Sequence, residues 1–260
     1  MDVLELGLAG KVALVTGASE GLGRATADRF ARSGAKVAMC ARHKDVLERA
    51  ADAIRHATGA DLLAQTCDVT RPDQVEAFVT AAVARWGGVD ILVNNAGTSA
   101  AAGFADVNDG QWQADFDLKV MAAIRLCRLV IPHMKRRGGG SIVNVTTVGG
   151  KAPAARALPT SVTRAAGINL TKSLAHEYAA DTIRVNTICL GVVKSGQWER
   201  RMKGDPEAFY REMAEKRRVP LGRFGEAHEF ADLVAFLCSE RAAYITGAAI
   251  NFDGGLSAAV

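Results

Sequence analysis

One alternation governs this chain. Short runs of apolar residues are separated, from one end to the other, by longer segments of helical period. Strands are predicted at Val12–Val15, Lys36–Cys40, Leu62–Cys67, Val89–Val93, Ser141–Val145, Ile183–Ile188 and Ala248–Phe252. Helices are predicted between them, over Leu22–Arg32, Lys44–Ala57, Pro72–Trp86, Asp109–Lys135, Thr160–Ala179 and Ala227–Cys238. A helical excursion covers Trp198–Lys216. Strands that are apolar throughout, rather than at every second residue, are buried on both faces, which requires a parallel sheet sandwiched between helices. Right-handed crossovers then give a doubly wound α/β fold around a seven-stranded parallel sheet. Apolar residues make up 49% of the 260, and no linker, composition shift or repeat divides them, so a single domain is expected.

The same residues exclude several functions. A net charge of +4 is small for this length, and the basic runs Lys135-Arg136-Arg137 and Lys216-Arg217-Arg218 read as solvated helix ends and loops. No nucleic-acid partner is expected. No stretch approaches the ~18 apolar residues of a membrane span, and the acidic Asp2 and Glu5 precede no long apolar run, so neither a membrane partner nor a signal peptide is expected. The five cysteines (Cys40, Cys67, Cys127, Cys189 and Cys238) contain no C-x-x-C pair. Cys40, Cys67 and Cys189 sit in strand-like runs, where cysteine behaves as a small hydrophobe. A reducing, cytoplasmic location is expected. The histidines (His43, His56, His133, His176 and His228) show no metal-ligand spacing, and no metal site is expected.

The first strand runs into the first helix through Thr16-Gly17-Ala18-Ser19-Glu20-Gly21-Leu22-Gly23. Glycine at 17 permits a tight turn, glycine at 21 lets a pyrophosphate approach the backbone, and glycine at 23 lets the helix pack closely on the strand. The N–H groups at the helix N-terminus then face the phosphates. A glycine triplet alone is weak, but its place between a predicted strand and a predicted helix is the context of a Rossmann dinucleotide site. The end of the second strand bears on which nicotinamide dinucleotide binds. An acidic residue there would hydrogen-bond the adenosine ribose and repel a 2′-phosphate. This chain has Ala41, then Arg42, whose guanidinium suits a phosphate. Glu20, inside the turn, argues the other way. The balance favours NADP(H) over NAD(H).

The spacing of the glycine turn resembles that of the short-chain dehydrogenase/reductase (SDR) family. Further motifs extend the resemblance over nearly the whole chain: Cys67-Asp68-Val69 after the third strand, Asn94-Asn95-Ala96-Gly97 after the fourth, Arg184-Val185-Asn186 in the sixth, and Ile250-Asn251-Phe252-Asp253-Gly254-Gly255 at the seventh. Ala243-Tyr244-Ile245-Thr246-Gly247 is similar to a further family segment. The resemblance implies cofactor contacts at Gly17, Ser19, Glu20, Gly21, Leu22, Gly23, Arg42, Asp68, Val69, Asn95, Ala96, Gly97, Arg164, Gly191 and Val193. It also implies a segment at about 192–220 that covers a small-molecule substrate. Family members are commonly tetramers packed through the helices Asp109–Lys135 and Thr160–Ala179 and the last strand. The apolar tail Leu256–Val260 is compatible with such an interface.

Family members typically use an asparagine, a serine and a Tyr-x-x-x-Lys pair for proton transfer. Every one of these positions is substituted here. Thr147 follows Thr146 where the serine is expected. Thr160 and Arg164 occupy the tyrosine and lysine positions, before Ala165-Ala166-Gly167. Lys119 stands at the asparagine position, seven residues after Trp112, and Leu190 replaces a proline before Gly191. Thr147 keeps a hydroxyl and Arg164 keeps a charge, but a threonine cannot ionise as a tyrosine does, with its pKa of about 10. No tyrosine occurs before Tyr178. Two cations with two hydroxyls suit an anionic substrate, an acyl thioester or a developing enolate. Lys119 is a candidate proton donor if Arg164 and burial depress its pKa, with the alternative that it points away from the pocket. Tyr210 is either a donor from the covering segment or a packing residue; Tyr178 and Tyr244 read as structural. Three functions stay open. One is an oxidoreductase acting on a carbonyl/alcohol pair or an activated double bond. The second is a silent dinucleotide-binding subunit paired with an active SDR chain, and the third is a non-redox lyase or dehydratase.

Overall fold

The computed structural model describes residues 5–200, 202 and 204–259, without the side chain of Gln197. The central strand β1 (Val12–Thr16) is buried along its whole length. It pairs in parallel with β2 (Lys36–Ala41) on one side and β4 (Ile91–Asn94) on the other. β3 (Leu62–Thr66), β5 (Gly140–Thr147), β6 (Ile183–Leu190) and β7 (Ala249–Phe252) complete a seven-stranded sheet of order β3-β2-β1-β4-β5-β6-β7. Each described ladder is parallel. The order reverses between β1 and β4, so the loops after these strands leave in opposite directions and open a crevice at their carboxyl ends, where ligands of such sheets bind.

Helices cover both faces, as the uniformly apolar strands require. On one face, α1 (Gly21–Arg32), α2 (Lys44–Thr58) and α9 (Ala227–Cys238) bury Phe30, Leu47, Ile54 and Phe230 against Val15, Val37 and Val143. On the other, α3 (Pro72–Trp86) and α5 (Ala122–Arg136) bury Phe78, Leu126 and Met134 against Leu14, Leu92 and Ile142. Each such side chain removed from water stabilises the fold by about 1.5–3 kcal/mol. Pro72 opens α3, and α2 and α3 both stop at a glycine in the left-handed region, Gly59 at φ 68° and Gly87 at φ 79°.

Two sequence expectations need correction. The helix predicted over Asp109–Lys135 is interrupted. α4 (Asp109–Phe116), capped by Asn108 and Gln111, passes into a wider π-type turn over Asp117–Met121 before α5 begins. The buried positions Asp115, Lys119, Ala122, Leu126 and Val130 keep a three- to four-residue spacing through the turn, which is why the sequence reads as continuous helix. The excursion over Trp198–Lys216 is two helices, α7 (Gly196–Glu199) and α8 (Pro206–Lys216), the second started by Asp205 and Pro206. α6 (Thr160–Glu177) lies between β5 and β6. Cys67 falls one residue beyond β3, and all five cysteines are buried thiols. Asp2, Val260, Arg201 and Lys203 lie outside the described residues.

Candidate active site

The crevice is built first from backbone. Thr16, the last residue of β1, accepts hydrogen bonds at Oγ1 from the amides of Asn95 and Ala96, both at 3.0 Å. Asn95 Nδ2 returns to the carbonyls of Thr16 (2.9 Å) and Gly17 (3.1 Å). The glycine turn and the loop after β4 are thereby held as one unit. Gly17, at φ 63°, lies so close that a Cβ would stand 2.9 Å from Ala96 Cα. A Cβ on Gly23 would collide with the Gly17 carbonyl and come within 2.5 Å of Asn95 Nδ2. Both glycines are therefore required by close approach. α1 begins with neither a side-chain cap nor an acidic residue in its first turn, leaving its amides and positive dipole end directed into the crevice. Ser19 and Leu22 are half-buried beside it. The residues fit the pyrophosphate of a dinucleotide, because the cradle is lined by backbone donors and has no room for side chains.

Glu20 is exposed and forms an ion pair with Arg200 of the segment after β6, at 3.2 Å. Arg42 is exposed, directly after the end of β2. Asp68 accepts from the Thr70 amide (2.9 Å) and hydroxyl (2.8 Å). Burial pushes its carboxyl up, but the Thr70 bonds, with Arg42 and Arg71 nearby, hold it below its ordinary range. Val69 is buried beside it. On the far side, Gly191 donates to the Phe252 carbonyl and leaves no room for a Cβ against Asp253. Val193 is buried and bridged to Gly225.

The substituted positions form a linked cluster. Lys119, in the π-type turn, points inward: its side chain is 1% exposed. Its ammonium donates to Asp115 Oδ1 at 2.5 Å and to Thr160 Oγ1 at 3.0 Å. Thr160 Oγ1 also accepts from the Ala100 amide at 2.9 Å. Thr163, one turn further along α6, donates from Oγ1 to Asp115 Oδ2 at 2.7 Å. Arg164 donates from Nη1 to the Val145 carbonyl at 2.7 Å and lies against Gly97, where a Cβ would be 2.6 Å from Nη2. Burial pushes Lys119 down, Arg164 adds to the fall, and Asp115 opposes both, leaving it at about 8. Burial brings Arg164 down to about 10, against the pull of Asp115, so it stays charged at neutral pH. Thr147 ends β5, half-buried, beside the turn that packs on α6.

The structure thus brings Lys119, Thr160 and Arg164 together and leaves Tyr210 elsewhere. Tyr210, on α8, is buried with Val192, Val219 and Phe224, and its hydroxyl has no hydrogen-bond partner among the described residues. Tyr178 lies under Lys135 Nζ, 5.1 Å from its ring centre, whereas Tyr244 is fully exposed. Asp115 and Thr163 were not singled out from the sequence. Asp115 stands four residues before Lys119 and Thr163 three after Thr160, so each shares a helix face with a candidate; that spacing was the available signal. Among the described residues there is no group of side chains able to hold a metal, and no helix is long and apolar enough to cross a membrane.

Comparison with known proteins gives a consistent picture. Residues 17–257 match the family model described as enoyl-(acyl carrier protein) reductase. Human dehydrogenase/reductase SDR family member 4 is 36% identical over 249 residues, which cover 95% of this chain and 88% of that protein. A putative ketoacyl reductase of the granaticin polyketide synthase of Streptomyces violaceoruber is 37% identical over 255 residues, 94% of this chain and 92% of that protein. L-sorbose reductase from Gluconobacter frateurii, solved with NADPH and L-sorbose, superimposes with a TM-score of 0.93 at 37% identity, covering 99% of this chain and 100% of that one. An NADPH-bound short chain oxidoreductase from Pseudomonas aeruginosa PAO1, described as containing an atypical catalytic center, gives a TM-score of 0.93 at 39% identity over 96% of this chain and 98% of that one.

Proposed function

This chain belongs to the short-chain dehydrogenase/reductase family of oxidoreductases, and from that premise we propose that it reduces a small-molecule carbonyl with NADP(H), using Thr160 and Lys119 as its proton-delivery pair. The observation that carries the reading is the hydrogen bonding of Thr160 Oγ1. It accepts from both Lys119 Nζ and the Ala100 amide, which occupies its lone pairs and leaves its own proton for a substrate oxygen. The glycine turn at Gly17, Gly21 and Gly23 would hold NADPH, which would supply the hydride for the carbonyl carbon.

The chain's residues do the rest. Thr160 donates its proton to the carbonyl oxygen as charge develops there, and Lys119 returns a proton to Thr160 Oγ1. A threonine alkoxide is no better a leaving base than the product alkoxide, so the two transfers have to be concerted. The lysine, at about 8, is the group that makes the sum favourable near neutral pH. Arg164 keeps a positive charge beside Gly97 and holds the β5 end through Val145, which stabilises negative charge on the reacting oxygen. Thr147 orients the substrate, and the segment at 192–220 covers it. Asp68 and Val69 receive the adenine end, Asn95, Ala96 and Gly97 line the nicotinamide side with Gly191 and Val193, and Arg42 receives the 2′-phosphate. The pairing of Glu20 with Arg200 offsets the carboxylate that would otherwise repel that phosphate. The half-exposed edge strand β7 and the exposed Val162 on α6 support assembly as a homotetramer. NADPH-bound relatives, one with an atypical catalytic center, support the cofactor assignment.

The test is turnover of NADPH across ketones, 3-oxoacyl thioesters and enoyl thioesters, followed by nicotinamide absorbance, with Thr160→Val alongside. The expected result is carbonyl reduction that falls about 10²–10⁴-fold in the variant at unchanged NADPH affinity. Saturable NADPH binding with no turnover across the panel would instead support a silent subunit.

A further inference from the structure

We infer that Asp115 is the positioning residue of the proton-delivery pair: it aims the Lys119 ammonium at Thr160 and keeps it charged. The inference rests on the reading of Lys119 as proton source given above. Asp115 sits at the end of α4 with its side chain 3% exposed, an environment in which an unpaired carboxylate is costly. Each of its oxygens has a task. Oδ1 accepts from Lys119 Nζ at 2.5 Å, and Oδ2 accepts from Thr163 Oγ1 at 2.7 Å. Thr163 belongs to α6, the same helix that carries Thr160, so Asp115 ties the lysine's helix to the threonine's helix at the point where the proton crosses. The i, i+4 spacing survives the start of the π-type turn at Asp117, and the turn's extra width places Lys119 Nζ between the two elements.

The charges around Lys119 show why an anion is needed. From α6 it faces Arg164, a second buried cation, with the neutral Thr160 and Thr163. From the ends of β4 and β5 the enclosed space it lines contains Asn94 and Asn144, both neutral. Asp115 is the one carboxylate among these groups. Without it, burial and Arg164 both act to strip the proton from Lys119. Arg164 is tied to the Val145 carbonyl and does not take the carboxylate for itself.

The experiment compares the full-length protein with Asp115→Asn, Asp115→Glu and Lys119→Met. Asparagine preserves size and can still accept from Nζ, so folding is retained, and thermal unfolding checks this. Lysine labelled with 13C at the ε-carbon reports the Lys119 titration, assigned by the signal lost in Lys119→Met. The expected result is a Lys119 midpoint near 8 in the parent protein, lowered by about 1–3 pH units in Asp115→Asn and largely restored in Asp115→Glu. The kcat/KM profile follows: activity that declines above the Lys119 midpoint declines at correspondingly lower pH in Asp115→Asn, and recovers on acidification with NADPH affinity unchanged. A merely structural role would lower activity equally at every pH, and that result overturns the inference. An unmoved Lys119 midpoint in Asp115→Asn also overturns it, whatever the activity. Undiminished turnover in Lys119→Met overturns the underlying reading alone, because the titration arm needs no substrate.

Discussion

Lys119 makes the stability of this protein depend on pH in a direction opposite to that of a surface lysine. Its pKa falls from 10.5 to about 8 on folding, and at 1.36 kcal/mol per tenfold change the charged form is disfavoured in the fold by about 3 kcal/mol. Below pH 8 both folded and unfolded chains hold the proton, and the full penalty applies. Between about pH 8 and 10.5 the folded chain has released it while the unfolded chain still holds it. The unfolded state then binds more protons, so stability rises with pH. Above 10.5 the penalty is gone. The double variant Asp115→Asn/Lys119→Met replaces the pair by neutral groups of similar size and lacks this dependence. Denaturant unfolding of both proteins at half-unit steps from pH 7 to 9 isolates the effect, since Arg164, at about 10 and itself sensitive to Asp115, stays charged over that interval. The wild-type protein is expected to gain about 1 kcal/mol on the variant across that interval. A difference that stays flat, or that falls with pH, would show that Lys119 is neither buried nor depressed, and the proton-delivery scheme would lose its donor.

Other expectations follow from the same geometry. Gly23→Ala forces a Cβ against the Gly17 carbonyl and Asn95; NADPH binding, read by nicotinamide fluorescence, is expected to weaken by at least tenfold, with a lower unfolding midpoint. Arg42→Ala should weaken NADPH by on the order of tenfold or more, as for a lost charged hydrogen bond, while leaving NADH unchanged; equal losses for both would refute the 2′-phosphate assignment. Tyr210→Phe removes a buried hydroxyl that has no partner among the described residues. It is expected to keep turnover and to lose no stability, gaining up to about 1 kcal/mol, whereas a collapse in kcat would make Tyr210 the donor after all. The five buried thiols should react with an aromatic disulfide reagent only as fast as the protein opens, and all together once denaturant is added.

The fold was largely legible because its determinants are local and repeated. Uniformly apolar strands such as Val12–Thr16 admit only a doubly covered sheet, and Pro72, Gly59 and Gly87 punctuate helices through their own backbone preferences. The π-type turn at Asp117–Met121 leaves no mark in the sequence because the three- to four-residue spacing of buried positions runs straight through it. The glycine cradle was legible for a related reason: Gly17 and Gly23 are demanded by backbone approach, and no other residue satisfies it.

The active-site chemistry divides differently. From the sequence come the glycine turn between β1 and α1, the residues Lys119, Thr147, Thr160 and Arg164 as candidates beside it, and the fact that no tyrosine precedes Tyr178. The sequence did not determine which way Lys119 points. That was decided by the tertiary structure, where α4 and α6 meet and Asp115 and Thr163 close around the ammonium. Residues four apart on a helix are certain to share a face, but whether that face is solvated or buried depends on a helix packed against it from 40 to 50 residues away. Burial turns an ordinary lysine near 10.5 into one near 8, because the cost of a charge depends on the medium around it rather than on its neighbours in sequence.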